Sequence, residues 1–444
     1  QEPGMRIISK EGPLTNYADR DHCIEYIVAW CLLNGVLDSD SYSDNAALDT
    51  RIDAIREKTI TKENQEYTKI YYDLNKRAIP NKVIVKLNSG EEYEEEMKHY
   101  FGVKHAIGVA SGSSALYLAL KASGVKAGDE VITQAMTFVG TCNAISYCGA
   151  KPIFIDIDPL TFNINVKKLE EKIKINKKKG RRLVGIIATD YAGQPCDWKS
   201  LKIIGRKYGL KLINDNCHAI GASFYKNKKY ACKYADVVTQ SYHPVKNLTT
   251  GEGGSILTNH KAIDKKVKLL RSHGVIKKRN KSPWSYEMQD LGFNYRLSDM
   301  SCALGLSQLK KVNKFIRKKQ KIAQIYDKAF QNIKNIKIPL IKKNIQHSYH
   351  LYPLRIEFDK FKISKESFFR ILRKKNINLQ VHYIPIFLQP FYKKNFKFNV
   401  KDLKNSIKFY KEEISLPIYY SLKRKEINYV INQIKKILKI KNNI

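Results

Sequence analysis

The chain has 444 residues, of which 43% are hydrophobic, a proportion that is ordinary for a globular protein and excludes a disordered chain. Its formal net charge is +38, and most of the excess is C-terminal, since residues 301–444 hold 34 basic and 8 acidic residues. A nucleic-acid-binding protein is the alternative that this charge leaves open. The sequence has no zinc-finger spacing, RNP aromatic motif or recognisable helix-turn-helix, so we expect no nucleic-acid partner.

The sequence also lacks the segments that direct a chain to a membrane or out of the cell. No stretch approaches the roughly 18 uninterrupted apolar residues of a membrane span, and no basic region followed by an apolar run marks a secretory signal. The eight cysteines show neither CxxC pairs nor metal-like Cys/His spacing. We therefore expect reduced thiols, no metal site, no membrane association and a cytoplasmic location.

The first 80 residues differ from the rest in charge and pattern. They hold 10 basic and 14 acidic residues, and the apolar content of 23–33 predicts a helix. A polar stretch at 38–46 predicts a loop before a second helix near 47–58. We interpret 1–80 as a helical N-terminal extension of unknown role.

From about residue 90 helices and strands alternate along the chain. The predicted helices cover 91–101 and 113–122, and the predicted strands cover 105–110, 130–134, 152–156, 184–190, 211–215, 235–240 and 254–258. This alternation predicts an α/β fold with a mostly parallel sheet covered by helices on both faces, in a large domain over 81–330. Ligands of such sheets bind outside the carboxyl ends of the strands.

The last third predicts a smaller α+β domain over 331–444. Long helical patterns at about 301–330 lead into it. Its predicted strands lie near 349–357 and 378–383, and its predicted helices near 364–374 and 424–439.

One lysine stands out from the 80 basic residues by its surroundings. Lys246 lies in the run SYHPVKNLTTGEGG, at 241–254, on a tight connection between two apolar strands. A lysine held there with little freedom can lose its charge by desolvation and attack a carbonyl carbon. The segment therefore predicts a Schiff-base lysine.

A serine-rich turn follows the first predicted strand. Ser111, Ser113 and Ser114 come directly before a helix, where free backbone N–H groups and the helix dipole can hold a phosphate. The same serines can equally serve as a simple N-cap.

Two further segments carry candidate groups for a cofactor ring. Asp215 ends an apolar strand, where an unpaired carboxylate would be costly, so it needs a cationic or proton-donating partner such as a pyridinium nitrogen. Capping of the next segment is the alternative role. His218 could orient Asp215 or be structural, and Phe138 could stack on a ring or belong to the core.

Together these segments resemble the DegT/DnrJ/EryC1/StrS family of sugar aminotransferases, over about 85–444, with NYRLSD at 294–299 as a further match. The resemblance implies a fold-type I pyridoxal 5'-phosphate enzyme in which Lys246 is the catalytic, Schiff-base lysine and Asp215 pairs with the pyridine nitrogen. It also implies that Phe138 stacks on the ring, with His218 close by. Ser113, Ser114 and Ser241 would bind the phosphate, and Asn294 would reach the phosphate of a neighbouring subunit in a homodimer.

Within the family, LRSHGV at 270–275 and QVHYIP at 380–385 most resemble members of the pseudaminic acid pathway. They imply transfer of an amino group from glutamate to C4 of a UDP-linked 4-keto-6-deoxy amino sugar. Action at C3 or on another nucleotide sugar stays open, whereas a related dehydratase, which has histidine in place of the lysine, is disfavoured by Lys246. Residues 1–80 have no counterpart in this resemblance.

Overall fold

The computed structural model describes residues 9–63 and 90–440, apart from 11, 278–281 and 283, together with 65, 66 and 68. It divides into two compact units, Gln1–Lys86 and Leu87–Ile444. None of the helices within these described ranges is both long enough and apolar enough to cross a membrane.

The first unit is helical. Its α-helices are Tyr17–Asp21, Ile24–Asn34, Asp44–Ala47 and Thr50–Arg56. Tyr26 and Ile52 are buried together with Cys23 and Ala29 in a small core, and the Tyr26 hydroxyl donates to the Ser41 carbonyl at 2.8 Å. The predicted second helix is two short helices, because Asp49 caps a new one by accepting from the Arg51 N–H.

The second unit contains fourteen strands within the described residues. In chain order they are β1 (His105–Val109), β2 (Glu130–Gln134), β3 (Lys151–Ile155), β4 (Leu183–Thr189), β5 (Lys211–Asp215), β6 (Ser223–Phe224), β7 (Val237–Ser241), β8 (Gly254–Thr258), β9 (Val275–Lys277), β10 (Tyr286–Met288), β11 (Ile336–Lys337), β12 (Ile345–Gln346), β13 (Tyr352–Ile356) and β14 (Glu413–Leu416).

Thirteen α-helices of this unit lie within the described residues. The α-helices are Gly90–Phe101, Gly112–Ala122, Val139–Tyr147, Val166–Lys178, Trp198–Tyr208, Ala231–Tyr234, Lys261–Arg271, Asp299–Leu309, Val312–Phe330, Lys365–Lys374, Pro390–Asn395, Lys404–Glu412 and Arg424–Ile437.

The larger sheet has the order β1-β8-β7-β5-β4-β2-β3. Strand β8 runs antiparallel to both of its neighbours, and the remaining pairs are parallel. Alternate residues face opposite sides, so that Ile186 and Leu212 enter one core while Ile187 and Ile213 enter another. Cores on both faces explain why these strands are continuous apolar runs in the sequence, and they confirm the predicted α/β fold class.

A second, smaller sheet has the order β11-β13-β14 and its own core. Helix Val312–Phe330 contributes Val312 and Ile316 to one core of the large sheet, and Tyr326 and Phe330 to the core of the small sheet. The division into 81–330 and 331–444 stays a prediction.

One predicted strand is wrong. Residues 378–383 form no strand, and Gln380 alone pairs with Ser415 in an isolated bridge. The reason lies in the side chains that follow, because His382 contacts Ser415 and Tyr383 contacts His218 instead of continuing a ladder. Strand β13 pairs with β11 and with β14, and β14 was not predicted from the sequence.

Candidate active site

The carboxyl ends of the parallel strands surround one cavity of about 890 Å³. Six of the sequence-predicted residues line it: Ser113, Phe138, Asp215, His218, Ser241 and Lys246. Segments far apart in sequence meet there because β1, β2, β5 and β7 all end at this edge of the sheet.

Lys246 is held by a closed loop between β7 and β8. Its backbone N–H donates to the His243 carbonyl at 2.9 Å, and the Tyr242 N–H donates to the Gly253 carbonyl at 2.8 Å across the base of the loop. Burial lowers the pKa of Lys246, and the nearby Asp215 carboxylate opposes this shift only in part. A lowered pKa increases the fraction of the neutral amine, which is the form that attacks a carbonyl carbon.

Asp215 is positioned by two threonines. Its Oδ2 accepts from Thr141 Oγ1 at 2.7 Å and from Thr189 Oγ1 at 3.3 Å. Its Oδ1 accepts one long bond, from the Cys217 N–H at 3.3 Å. The second oxygen therefore keeps capacity to accept from a protonated ring nitrogen in the cavity.

His218 is buried and neutral. Its Nδ1 accepts from the Ala192 N–H at 3.3 Å, which places the ring proton on Nε2, 3.0 Å from the Tyr383 hydroxyl. Burial, with the charge of Lys246 as the next cause, holds the pKa of His218 well below its usual value. His218 therefore donates to Tyr383 and makes no direct hydrogen bond to Asp215.

His350 lies against both His218 and Lys246. Its ring centroid is 4.4 Å from that of His218, and its Nε2 is 3.5 Å from Lys246 Nζ. The His350 Nδ1 is buried and has no hydrogen-bond partner among the described residues. This nitrogen is one of the unused polar groups that line the cavity.

The serine turn approaches the lysine loop closely. Ser111 caps helix Gly112–Ala122 by accepting from the Ser114 N–H at 3.1 Å. A Cβ on Gly112 would lie 2.7 Å from the Ser241 Cβ, so only glycine fits between the helix N-terminus and Ser241. The exposed Ser113 and the half-buried Ser241 thus face one cavity beside free helix N–H groups, an arrangement that suits a phosphate.

The remaining predicted residues are placed differently. Ser114 is buried in the capping box, where its hydroxyl donates to the Ser111 carbonyl at 2.8 Å. Phe138 lines the cavity but is 53% exposed. Asn294 is exposed, pairs through its backbone with Ser272 and does not line the cavity of its own chain.

Sequence reasoning missed Thr141, Thr189 and His350, along with Lys319. Thr189 ends β4, so the rule that ligands bind at the carboxyl ends of strands pointed to it. The other three come from helices and a loop that carry no local signal of a site.

Family models and solved structures match this chain over most of its length. The model of the DegT/DnrJ/EryC1/StrS aminotransferase family matches residues 72–435. The chain belongs to this aminotransferase family. A second model, for the MmgE/PrpD C-terminal domain, matches residues 1–107.

Among curated relatives, the UDP-4-amino-4,6-dideoxy-N-acetyl-β-L-altrosamine transaminase of Campylobacter jejuni is 38% identical over 379 residues, covering 85% of this chain and 97% of the relative. Among solved structures, the Helicobacter pylori aminotransferase PseC, involved in the biosynthesis of pseudaminic acid, has a TM-score of 0.73 at 31% identity, covering 86% of this chain and 97% of that one. A proposed sugar aminotransferase of Streptococcus pneumoniae in its PMP form has a TM-score of 0.72 at 25% identity, covering 86% and 99%.

These similarities establish the class of chemistry. The protein is an aminotransferase, and pyridoxal 5'-phosphate is its cofactor. The residues of the cavity fit that group. Asp215 Oδ1 can accept from its ring nitrogen, Lys246 can bond its aldehyde carbon, and the turn at Gly112 can hold its phosphate.

Proposed function

We propose that this protein transfers an amino group from glutamate to C4 of a UDP-linked 4-keto-6-deoxy amino sugar of the pseudaminic acid type. The observation that carries the proposal is that Lys246 and Asp215 face one cavity in a chain that is 38% identical to a transaminase named for such a sugar.

The cofactor, when bound, supplies the carbonyl carbon that takes up the amino group and a ring that withdraws electrons. Lys246 Nζ would hold the cofactor and, as a free amine, would move a proton at the substrate carbon that bears the amino group. Such general acid-base catalysis contributes about 10²–10⁴-fold. The lowered pKa of Lys246 leaves a neutral amine available for this step.

Asp215 and the serines orient the cofactor in this proposal. Asp215 Oδ1 would hold a proton on the ring nitrogen, with the threonine bonds to Oδ2 fixing the carboxylate plane. Ser113 and Ser241, with Ser114 through the helix cap, would bind the phosphate. Phe138 would cover one face of the cofactor ring. His218, which contacts the Tyr383 hydroxyl, would form the cavity wall beside the ring.

The direct test is a panel of substrates. The purified protein is incubated with pyridoxal phosphate, L-glutamate and a set of UDP- and dTDP-linked 4-keto-6-deoxy sugars, and each product is identified by mass and by NMR. We expect one UDP-linked sugar to gain an amino group at C4. Amination at C3, or of dTDP-linked sugars alone, would contradict the proposed substrate.

We also propose that the working unit is a cytoplasmic homodimer with shared sites. Phe138 and Val245, which line the cavity, are exposed apolar side chains, as are Met288 and Leu291 near Asn294. A second copy would bury such residues and could bring its Asn294 to the phosphate.

The eight cysteines are free thiols, which fits a reducing compartment.

Shared sites predict complementation between two defective variants. Lys246→Ala and Asn294→Ala should each have low activity alone, whereas the two chains expressed together should recover activity, because one site of each mixed dimer keeps both residues. The measurement is turnover of the co-expressed mixture against the separately purified variants. Full activity of Asn294→Ala alone, or no recovery in the mixture, would contradict the shared site.

A further inference from the structure

A second lysine is buried in the wall of the same cavity. Lys319 is 6% exposed and lines the cavity, and its Nζ donates to Asn247 Oδ1 at 2.7 Å. Asn247 follows Lys246 in the chain and donates its own Nδ2 to the Ser348 carbonyl at 3.1 Å. The ammonium of Lys319 is therefore fixed beside the loop that holds Lys246.

The backbone explains how Lys319 reaches this place. Its helix, Val312–Phe330, packs Ile316 into a core of the large sheet and Ile322 into the core of the small sheet. Lys319 lies between these two contacts, where the cavity separates the cores. A leucine or methionine there would fit an apolar helix face, so the lysine is not required by the packing pattern.

The charge of Lys319 is not neutralised within the described part of the chain. No described carboxylate lies within ion-pair distance, and Asn247 is its one hydrogen-bond partner. An ammonium has three N–H donors, so two remain for a ligand. A buried ammonium without a counter-ion is costly, and burial lowers the pKa of Lys319 to about 8.

The other charged groups of the cavity do not supply the missing anion. Asp215 accepts from Thr141 and Thr189. Glu252 lies at the rim, where its side chain is 65% exposed and 3.8 Å from His243. The anion that neutralises Lys319 must therefore come from a substrate.

We propose that Lys319 binds the carboxylate of the amino-acid donor during the first half of the reaction. This inference rests on the proposed transamination and adds the residue that recognises the donor. The donor carries its α-carboxylate on the same carbon as the amino group that must reach Lys246. In the sugar, by contrast, the pyranose ring separates C4 from the diphosphate on C1, which places the phosphates away from the lysine.

The number of charges points the same way. One ammonium with two available N–H donors matches a singly charged carboxylate. A diphosphate carries more negative charge than one ammonium can balance.

The test measures the donor and the sugar separately in the holoenzyme. Spectral titration with L-glutamate alone follows conversion of the cofactor to its aminated form, and steady-state kinetics give KM for the sugar. We expect Lys319→Met to raise the glutamate concentration at half-conversion by about 10–100-fold, because a hydrogen bond to a charged group is lost. The sugar KM should be nearly unchanged. Lys319→Arg should keep most of the affinity. Lys321→Met, an exposed position on the same helix, should match the wild type.

Three results would overturn the assignment. In the first, Lys319→Met raises the sugar KM but leaves the glutamate titration normal, which assigns Lys319 to the phosphates. In the second, neither the glutamate titration nor the sugar KM changes. In the third, Lys319→Met loses the cofactor band while Lys319→Gln recovers both affinities in full, which assigns Lys319 a structural role. If Lys319→Met does not fold, Lys319→Gln replaces it, because its amide can still donate to Asn247, and the same glutamate shift is expected. If no amino acid converts the wild-type cofactor, the proposed function itself fails.

Discussion

Asp190 and Lys319 are both buried charged residues, but their surroundings differ. Both oxygens of Asp190 are fully used: Oδ1 accepts from the Cys196 N–H at 2.7 Å and Trp198 Nε1 at 2.8 Å, and Oδ2 accepts from Asn216 at 2.8 Å and Tyr230 at 2.7 Å. Lys319 has one hydrogen-bond partner among the residues that the structure describes.

This difference separates a structural cluster from a ligand site better than burial does. In native proteins nearly all buried polar groups have hydrogen-bond partners. A donor or acceptor in a cavity wall that has no partner therefore indicates a ligand site. Among the described residues, Lys319 Nζ has one hydrogen-bond partner, the His350 Nδ1 has none, and the Asp215 Oδ1 accepts one long bond, whereas both oxygens of Asp190 are fully used. The comparison predicts that changes in the cavity lower activity and that changes at Asp190 lower stability.

The largest effect is expected at Lys246. Lys246→Ala should lower turnover by about 10⁴-fold, because both the covalent attachment of the cofactor and the proton transfer are lost. Its melting temperature should stay close to that of the wild type. The measurement is a turnover assay with a thermal melt on the same sample, and Lys265→Ala, an exposed lysine, is the control. A variant that still turns over would contradict the role of Lys246.

The opposite pattern is expected at Asp190. Asp190→Asn should lower the free energy of unfolding by about 3 kcal/mol, because the new amide NH₂ would face donors that now reach a carboxylate. Turnover per folded molecule should be unchanged. Urea unfolding measures the first quantity, with Asp197→Asn as the control. Asp197 caps helix Trp198–Tyr208, and asparagine caps a helix about as well as aspartate, so this change should cost less than about 1 kcal/mol. Normal stability with reduced turnover would reverse the assignment.

The smallest effect is a pH dependence of donor binding. Lys319 has a pKa of about 8, lowered first by burial and then by Lys246. The pKa of His350 is held low mainly by burial, and the charge of Lys319 contributes to lowering it. Below pH 8 its ammonium is charged and binds a carboxylate; above pH 8 the charge and the affinity are lost.

We therefore expect the apparent KM for glutamate to rise as the pH increases above about 8 in the wild type. In Lys319→Arg the rise should be absent over the same range, because a guanidinium stays protonated. Identical pH profiles for the two proteins would show that another group controls donor binding.

The sequence predicted the parts of the molecule that local pattern determines. Strands such as Lys211–Asp215 are apolar runs because both faces of the sheet are covered. The lysine loop and the serine turn were predicted because each follows a strand directly, the first as a tight connection and the second as the start of a helix. The structure brings Lys246, Asp215 and Ser241 together in one cavity.

What the sequence did not predict depends on tertiary packing. Lys319 was one of many lysines on a helix, and its burial follows from how that helix joins two cores. His350 precedes β13 and reaches Lys246 only when the small sheet is in place. Strand β14 was missed, and 378–383 was predicted as a strand instead. This segment is a loop in which Leu379 enters the core of the small sheet while Gln380 and His382 line the cavity, so its residues alternate as they would in a strand.

The most direct test of the account is to locate the cofactor on the chain. The protein is incubated with pyridoxal phosphate, reduced with borohydride, digested and analysed by peptide mass spectrometry. We predict a single pyridoxyl group on the peptide that contains Lys246. A pyridoxyl group on Lys319, on another lysine or on none would contradict the assignment of Lys246 as the residue that carries the chemistry.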